Sequence, residues 1–397
     1  MRLDGIHHIS AITGDAPRNV DFYTRVLGLR MIAKTVNQDD PSVYHLFYGD
    51  EHARPGADLT FFEYPGAVPG RPGAGMVHRV VWRVGSARAL DFWAGRLEVE
   101  GVGVRRDGGG TLRFSDPEGL SHELVVATSP DPALIAEHPE VPAEHALQGF
   151  EGVRAYSFDP AASAATLERL MGASRLGDED RWELRGERRG GWVAFDPAPA
   201  ARGRQSAGVV HHVAFGTTDE DLPAWIDAVT DAGVPNSGYV DRHYFHSLYF
   251  REPGGVLYEL ATAEPGFTVD GPVEELGTRL ILPPFLEPRR EQIAARLTPL
   301  PDPRAGWPER TERSAVSARS AQAERSARAE RSAQAERSEQ AERSEQPERA
   351  ERPEQAERAE QAERAVQAEP SEPGERVVQA EQAERPERAA TASGAAS

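Results

Sequence analysis

The sequence predicts an α+β protein built from four βαβββ modules that form two cup-like domains, followed by a disordered C-terminal tail. Three observations predict it. One pattern recurs four times between Ile6 and Leu260: a short alternating strand, an amphipathic helix of about three turns, then three more strand-like runs. Of six Trp, nine Tyr and 14 Phe, none lies beyond Trp307, so the last stretch cannot bury enough apolar surface to offset its chain entropy. That stretch is written in hexads such as Ala329-Glu330-Arg331-Ser332-Ala333-Gln334, which favour helix but carry no apolar face to dock it.

The first module opens with Ile6-His7-His8-Ile9-Ser10-Ala11-Ile12. Its helix runs through Val20, Phe22, Tyr23, Val26 and Leu27, and Gly28 ends it, as glycine commonly does at a helix C-terminus. Strand-like runs follow at 30–37, 43–49 and 58–64. The second module starts at Met76-Val77-His78-Arg79-Val80-Val81-Trp82, carries Leu90, Phe92, Trp93 and Leu97 on its helix, and closes with Ser121-His122-Glu123-Leu124-Val125-Val126. The third begins near Gly152-Val153-Arg154-Ala155-Tyr156 and ends around Trp192-Val193-Ala194-Phe195. The fourth begins at Gly208, reads Val210-His211-His212-Val213-Ala214-Phe215, and has a helix with Leu222, Trp225, Ile226, Val229 and Ala232. It finishes with a hairpin, Ser247-Leu248-Tyr249-Phe250 and Val256-Leu257-Tyr258-Glu259-Leu260, turning at Glu252-Pro253-Gly254-Gly255.

Each small sheet with a helix on one face needs its other face covered, and two curled sheets can share a cavity. Residues 4–140 therefore read as a first pair of modules and 141–265 as a second. Residues 266–307 form a Pro-rich closing segment, with Leu280, Ile281, Leu282, Pro283, Pro284 and Phe285 laid against the body, and 308–397 form the tail.

With 45 basic against 64 acidic residues the net charge is −19, which argues against a nucleic-acid or anionic-membrane partner. The absence of Cys excludes disulfide scaffolds, thiolate metal sites and cysteine nucleophiles. With no apolar signal core and no long apolar window, a cytoplasmic location is the expectation.

Chemistry concentrates in the histidines. The pairs His7-His8 and His211-His212 occupy the same place in the first strands of modules one and four. Neighbours on a strand point to opposite faces, so one of each pair can enter a cup while the other looks away or backs it. Glu259 sits inside an apolar strand, where a carboxylate is costly unless it meets a cation. Two imidazoles and one carboxylate around a cavity form the facial triad associated with non-haem Fe(II), and they also suit Mn(II) or Zn(II). His78 and Glu123 hold comparable places in module two, but module three offers Arg154 and Tyr156 where its histidine should stand, so both read as structural.

These residues resemble the ring-cleaving dioxygenases of the vicinal-oxygen-chelate (glyoxalase/bleomycin-resistance) superfamily, nearest the branch acting on hydroquinones. The resemblance covers about residues 4–290 and rests on ordered blocks. Among them are Gly5-Ile6-His7-His8-Ile9-Ser10, Tyr44-His45-Leu46-Phe47-Tyr48-Gly49-Asp50, Glu144-His145-Ala146, His211-His212-Val213-Ala214-Phe215 and Tyr249-Phe250-Arg251-Glu252-Pro253-Gly254-Gly255. It implies His8, His212 and Glu259 as ligands of Fe(II), or of Mn(II), and implies that module one closes onto module four while two and three pair separately.

It further implies extradiol-type cleavage of a small aromatic diol with O2, with His7, His211, Arg242 and Tyr249 as acid–base or hydrogen-bonding partners. Ser10, His243 and His246 are further candidates. Hairpin parity decides one of them: an odd number of loop residues before Val256 puts Tyr249 on the face of Glu259, an even number puts His246 there. Two alternative functions remain open to the sequence. A glyoxalase-like isomerase would need a fourth ligand, for which Glu63 is placed in module one, unless it is a solvent-facing residue at its strand end. A metal-free protein binding an aromatic toxin or antibiotic would keep the cup and lose the ligands.

Overall fold

The computed structural model describes residues 1–108 and 110–307. The tail expectation for 308–397 lies outside the described residues. Each module is βαβββ. Module one holds β1 (Ile6–Thr13), α1 (Ala16–Asp21), β2 (Arg30–Val36), β3 (Tyr44–Gly49) and β4 (Asp58–Glu63). Module two holds β5 (Met76–Val84), α2 (Ala87–Val99), β6 (Arg105–Arg106), β7 (Leu112–Ser115) and β8 (Ser121–Val126). Module three holds β9 (Phe150–Ser157), α3 (Pro160–Ala165), β10 (Ser174–Arg175), β11 (Arg181–Arg185) and β12 (Gly190–Pro197). Module four holds β13 (Val210–Thr217), α4 (Leu222–Asp231), β14 (Val240–Asp241), β15 (Phe245–Arg251) and β16 (Leu257–Pro265).

Helix starts follow side-chain capping. Asp15, Ser86 and Asp159 each accept a hydrogen bond from a backbone N–H of the first turn of α1, α2 and α3. The helices of modules one and three are not regular for three turns: α1 and α3 pass into π-helical turns at Phe22–Val26 and Thr166–Leu170. The first of these turns buries Tyr23 completely and directs its hydroxyl to Asp116 at 2.9 Å.

Within a module the first and last strands run parallel, and the long helix-bearing connection makes that possible. The modules then pair out of sequence. One eight-stranded sheet has the order β14-β15-β16-β13-β1-β4-β3-β2, the other β10-β11-β12-β9-β5-β8-β7-β6. Hydrogen bonding therefore does not follow a division at residue 140. Antiparallel pairing of β1 with β13 joins module one to four, and pairing of β5 with β9 joins two to three. The physical reason is edge satisfaction: the first strand of each module is the edge that its own strands leave open, and a second first strand closes it.

The core between strands and helices holds Trp82, Trp93, Trp182, Tyr23, Tyr48 and Tyr258, all fully buried. The closing segment joins that core through Leu282, Leu286, Ile293 and Leu297. It is hydrogen-bonded to β2 by Ile281 N–H to Lys34 O at 2.9 Å, and it receives the Lys34 ammonium on Leu300 O at 2.8 Å. Phe285 departs from expectation and is exposed, because Leu286 takes the inward position of that turn. Among the described residues no helix is long and apolar enough to cross a membrane.

Candidate metal centre

The β1–β13 seam carries the site. The two strands bulge at symmetric places: the register skips His7 on one strand and His211 on the other. A bulge re-aims the extra side chain. Each first histidine thus turns back onto its neighbour instead of pointing to the far face. His7 Nδ1 lies 3.0 Å from His8 Nδ1, and His211 Nδ1 lies 2.8 Å from His212 Nδ1. The strict alternation expected for a regular strand does not hold at these two points.

His8, His212 and Glu259 come together. His8 Nε2 is 3.0 Å and His212 Nε2 is 2.9 Å from Glu259 Oε2, and the two nitrogens are 3.3 Å apart. All three side chains are buried, Glu259 completely. Its other oxygen accepts a hydrogen bond from the Ser247 hydroxyl at 2.6 Å.

The proton positions follow from the partners. His7 Nε2 faces Thr262 O at 3.1 Å, which can only accept, so Nε2 carries the hydrogen. Burial, with His8 next, holds the His7 pKa down at about 3, so the ring is neutral and its Nδ1 is a lone pair. His8 therefore donates from Nδ1 and turns Nε2 toward His212 and Glu259. In a neutral ring that nitrogen turns a lone pair toward a second imidazole nitrogen and a carboxylate oxygen, an arrangement satisfied by a shared proton or by a bound cation between them. Burial pushes the Glu259 carboxyl up, but His8 and His212 outweigh it and hold it well below the usual range. The donor set fits a divalent ion: two imidazoles oriented by second partners, and one ionised carboxylate.

The triad opens on a cavity of about 390 Å³, with Val36, Phe47, Phe62, Phe245, Leu257 and Pro283 among its walls. Tyr249 pairs directly across from Glu259 in the β15–β16 ladder, because five residues, 252–256, separate the paired segments. Its hydroxyl accepts a hydrogen bond from Arg242 Nε at 3.3 Å, and Arg242 reaches Asp39 at 3.0 Å. Burial, with Glu259 next, raises the Tyr249 pKa, so the phenol stays protonated. His211 lines the cavity and reaches solvent, while desolvation and His212 hold its pKa at about 4. His7 does not line the cavity, and both of its nitrogens are occupied.

Other candidates lie elsewhere. His246 turns to Asp219 at 2.6 Å and His243 to Asp270 at 2.8 Å. Glu63 is neither a ligand nor solvent-facing: it is buried and accepts a hydrogen bond from Ala16 N–H at 3.0 Å, at the start of α1. The register explains why. Ala214 of β13 is opposite Glu259, and the matching pair in module one is Ser10 with Thr60. Thr60, three residues before Glu63, stands where a fourth ligand would.

Sequence reasoning passed over Thr60 and His45. The Thr60 hydroxyl bonds the Ser10 hydroxyl at 2.7 Å and His45 Nε2 at 3.0 Å. The signal was present in β3, where His45 stands between Tyr44 and Leu46, a polar ring in an apolar strand.

The second sheet has the same register with other residues. Arg79 replaces His8, Gly152 rather than the expected Arg154 or Tyr156 stands in the place of His212, Ala194 replaces Glu259, and Glu123 matches Thr60. Glu123 is held by Arg79 at 3.0 Å and by Arg113 at 3.1 Å. The Trp192 indole fills the space that a side chain at Gly152 would need. His78 pairs with Asp196 at 2.8 Å and stacks on Tyr156.

A family profile described as the Glyoxalase/Bleomycin resistance protein/Dioxygenase superfamily matches residues 5–124 and 149–260. Two Bacillus subtilis (strain 168) proteins assigned as ring-cleaving dioxygenases are similar to this chain. MhqA is 39% identical over 321 residues, which span 76% of this chain and 100% of MhqA. MhqE is 38% identical over 299 residues, 74% of this chain and 98% of MhqE. The chlorohydroquinone/hydroquinone 1,2-dioxygenase of Sphingobium indicum is 30% identical over 328 residues, 74% of this chain and 95% of that enzyme. A solved structure assigned as a dioxygenase from Bacillus subtilis subsp. subtilis str. 168 superposes with a TM-score of 0.71 at 38% identity, covering 76% of this chain and 98% of that one. Matched in both sheets by the profile, and over 76% and 74% of its length by these two relatives, the chain belongs to the glyoxalase/bleomycin resistance protein/dioxygenase superfamily.

Proposed function

We propose that this ring-cleaving dioxygenase uses Fe(II), held by His8, His212 and Glu259, to open hydroquinone- or catechol-like rings with O2. One observation carries the reading: three ligand atoms converge within 3.3 Å of one another in a buried corner, and the matching fourth position is the Thr60 hydroxyl. Three protein ligands suit oxygen chemistry better than the fully ligated centre that a glyoxalase-type isomerase would need. Iron(II) in such a setting supplies one-electron redox chemistry and coordination positions that protein does not fill.

The chain's own residues do the rest. The apolar walls accept a flat ring and exclude water from it. His211, neutral and open to the cavity, accepts from His212 at Nδ1 and so presents its Nε2 hydrogen to a substrate oxygen. Tyr249, kept as a phenol, donates toward oxygen on which negative charge develops, and Arg242 fixes the orientation of that phenol. His7 acts through His8: it sets which nitrogen of that ring faces the ion.

The test is anaerobic purification with Fe(II) followed by O2 uptake with hydroquinone, catechol and chlorinated analogues. His212→Ala is expected to lose both bound metal and activity with an unchanged circular dichroism spectrum. A metal-replete, active His212→Ala protein overturns the assignment.

A further inference from the structure

The cavity has two unlike flanks. In the sheet order, β15 with Tyr249 and β3 with His45 stand equally far on either side of the β1–β13 seam. The pseudo-twofold register matches Tyr249 opposite Glu259 with Phe47 opposite Thr60, and Ser247 with His45. In module four, Ser247 spends its hydroxyl on Glu259. In module one the matching side chain is an imidazole in the cavity wall.

His45 is bound on one side only. Nε2 is engaged by Thr60 at 3.0 Å, and Ser10 backs Thr60 at 2.7 Å. Phe47 and Phe62 lie against its ring, with centroids at 4.0 and 4.2 Å, and set its plane. Among the described residues no group bonds Nδ1, and the ring is half-buried with the cavity in front of it. Two hydroxyls and one imidazole in a chain can run their protons in either direction, so Nδ1 can offer either a hydrogen or a lone pair.

A directed polar atom set between the apolar rings of Phe47 and Phe62 selects ligands that satisfy it. We propose that His45 is a substrate-positioning residue: its Nδ1 binds a polar ring substituent that stays off the metal, on the ring edge turned away from Tyr249. The site then prefers rings with a second hydroxyl at that edge over rings of the same shape without one. This inference rests on the ring-cleaving reading above and deepens it.

Three variants test it, with anaerobic Kd and aerobic kcat and KM for hydroquinone against 4-methylphenol binding. His45→Phe keeps the ring between Phe47 and Phe62 and loses both nitrogens. His45→Gln places an amide near Nε2 and keeps the bond to Thr60, whereas His45→Asn places one near Nδ1. The expected result is that His45→Phe and His45→Gln weaken hydroquinone binding by about tenfold, as loss of one hydrogen bond does, while 4-methylphenol binding and metal content stay unchanged. His45→Asn recovers part of the preference. If His45→Gln behaves as wild type and His45→Asn does not, His45 serves only to hold Thr60 and the proposal falls. A wild-type protein inactive with every diol removes the ring-cleaving reading itself, a different outcome from an active wild type whose preference the variants leave intact.

Discussion

At the scale of single residues, the site works by making neutral rings point one way. His7 is the clearest instance, since a carbonyl on one side dictates the tautomer that reaches His8 on the other. Replacing it with Phe keeps the volume but leaves the His8 ring without its acceptor. His7→Phe is expected to weaken metal retention by about 10–100-fold in chelator competition, with His7→Gln recovering part of it. Unchanged retention in both variants would show that His8 needs no such partner. The residue scale is also where sequence reading reached furthest. His8, His212 and Glu259 stood out because polar groups in apolar strands are expensive. Choosing between the members of each histidine pair took resemblance, because alternation alone is symmetric between them.

At the scale of elements, the modules were legible because a period of two in strands and of 3.6 in helices leaves a pattern in the chain. What alternation could not carry is register. The bulges at His7 and His211, the pairing of Thr60 with Ser10, and the capping role of Glu63 all depend on which residues face each other across a ladder. The π-helical turn after α1 was hidden for a related reason: its apolar spacing resembles that of an ordinary helix. One close approach can be tested directly. Gly5, just ahead of β1, has φ of 68°, and a Cβ there would lie 2.6 Å from the Gly190 carbonyl carbon at the start of β12. Gly5→Ala is expected to cost about 1–3 kcal/mol in denaturant unfolding through strain and backbone displacement. A midpoint equal to wild type would mean that this approach is looser than drawn.

At the scale of the whole molecule, charge ties the connecting segments to the sheets. Asp131, in the stretch between modules two and three, meets Arg83 of β5 and Arg185 of β11, both at 2.8 Å, and accepts from Gly190 N–H at 3.0 Å. Burial pushes its carboxyl up, but these partners outweigh it and hold it well below the usual range. A lowered folded pKa gives stability that is present above the unfolded value near about 3.9 and disappears as pH falls through the folded one. Asp131→Asn is therefore expected to cost about 3 kcal/mol at pH 7, with the gap between the two melting curves closing below about pH 4. A gap that stays constant down to pH 2 would remove Asp131 from the account. The pairing of the outermost modules also has a consequence for synthesis. The strands bearing His212 and Glu259 emerge some two hundred residues after the one bearing His8, so the inner sheet can close on the ribosome while the outer one waits as an open edge. No nascent chain can bring His8, His212 and Glu259 together until translation has passed Glu259, so the buried triad is the last part of the outer sheet to assemble.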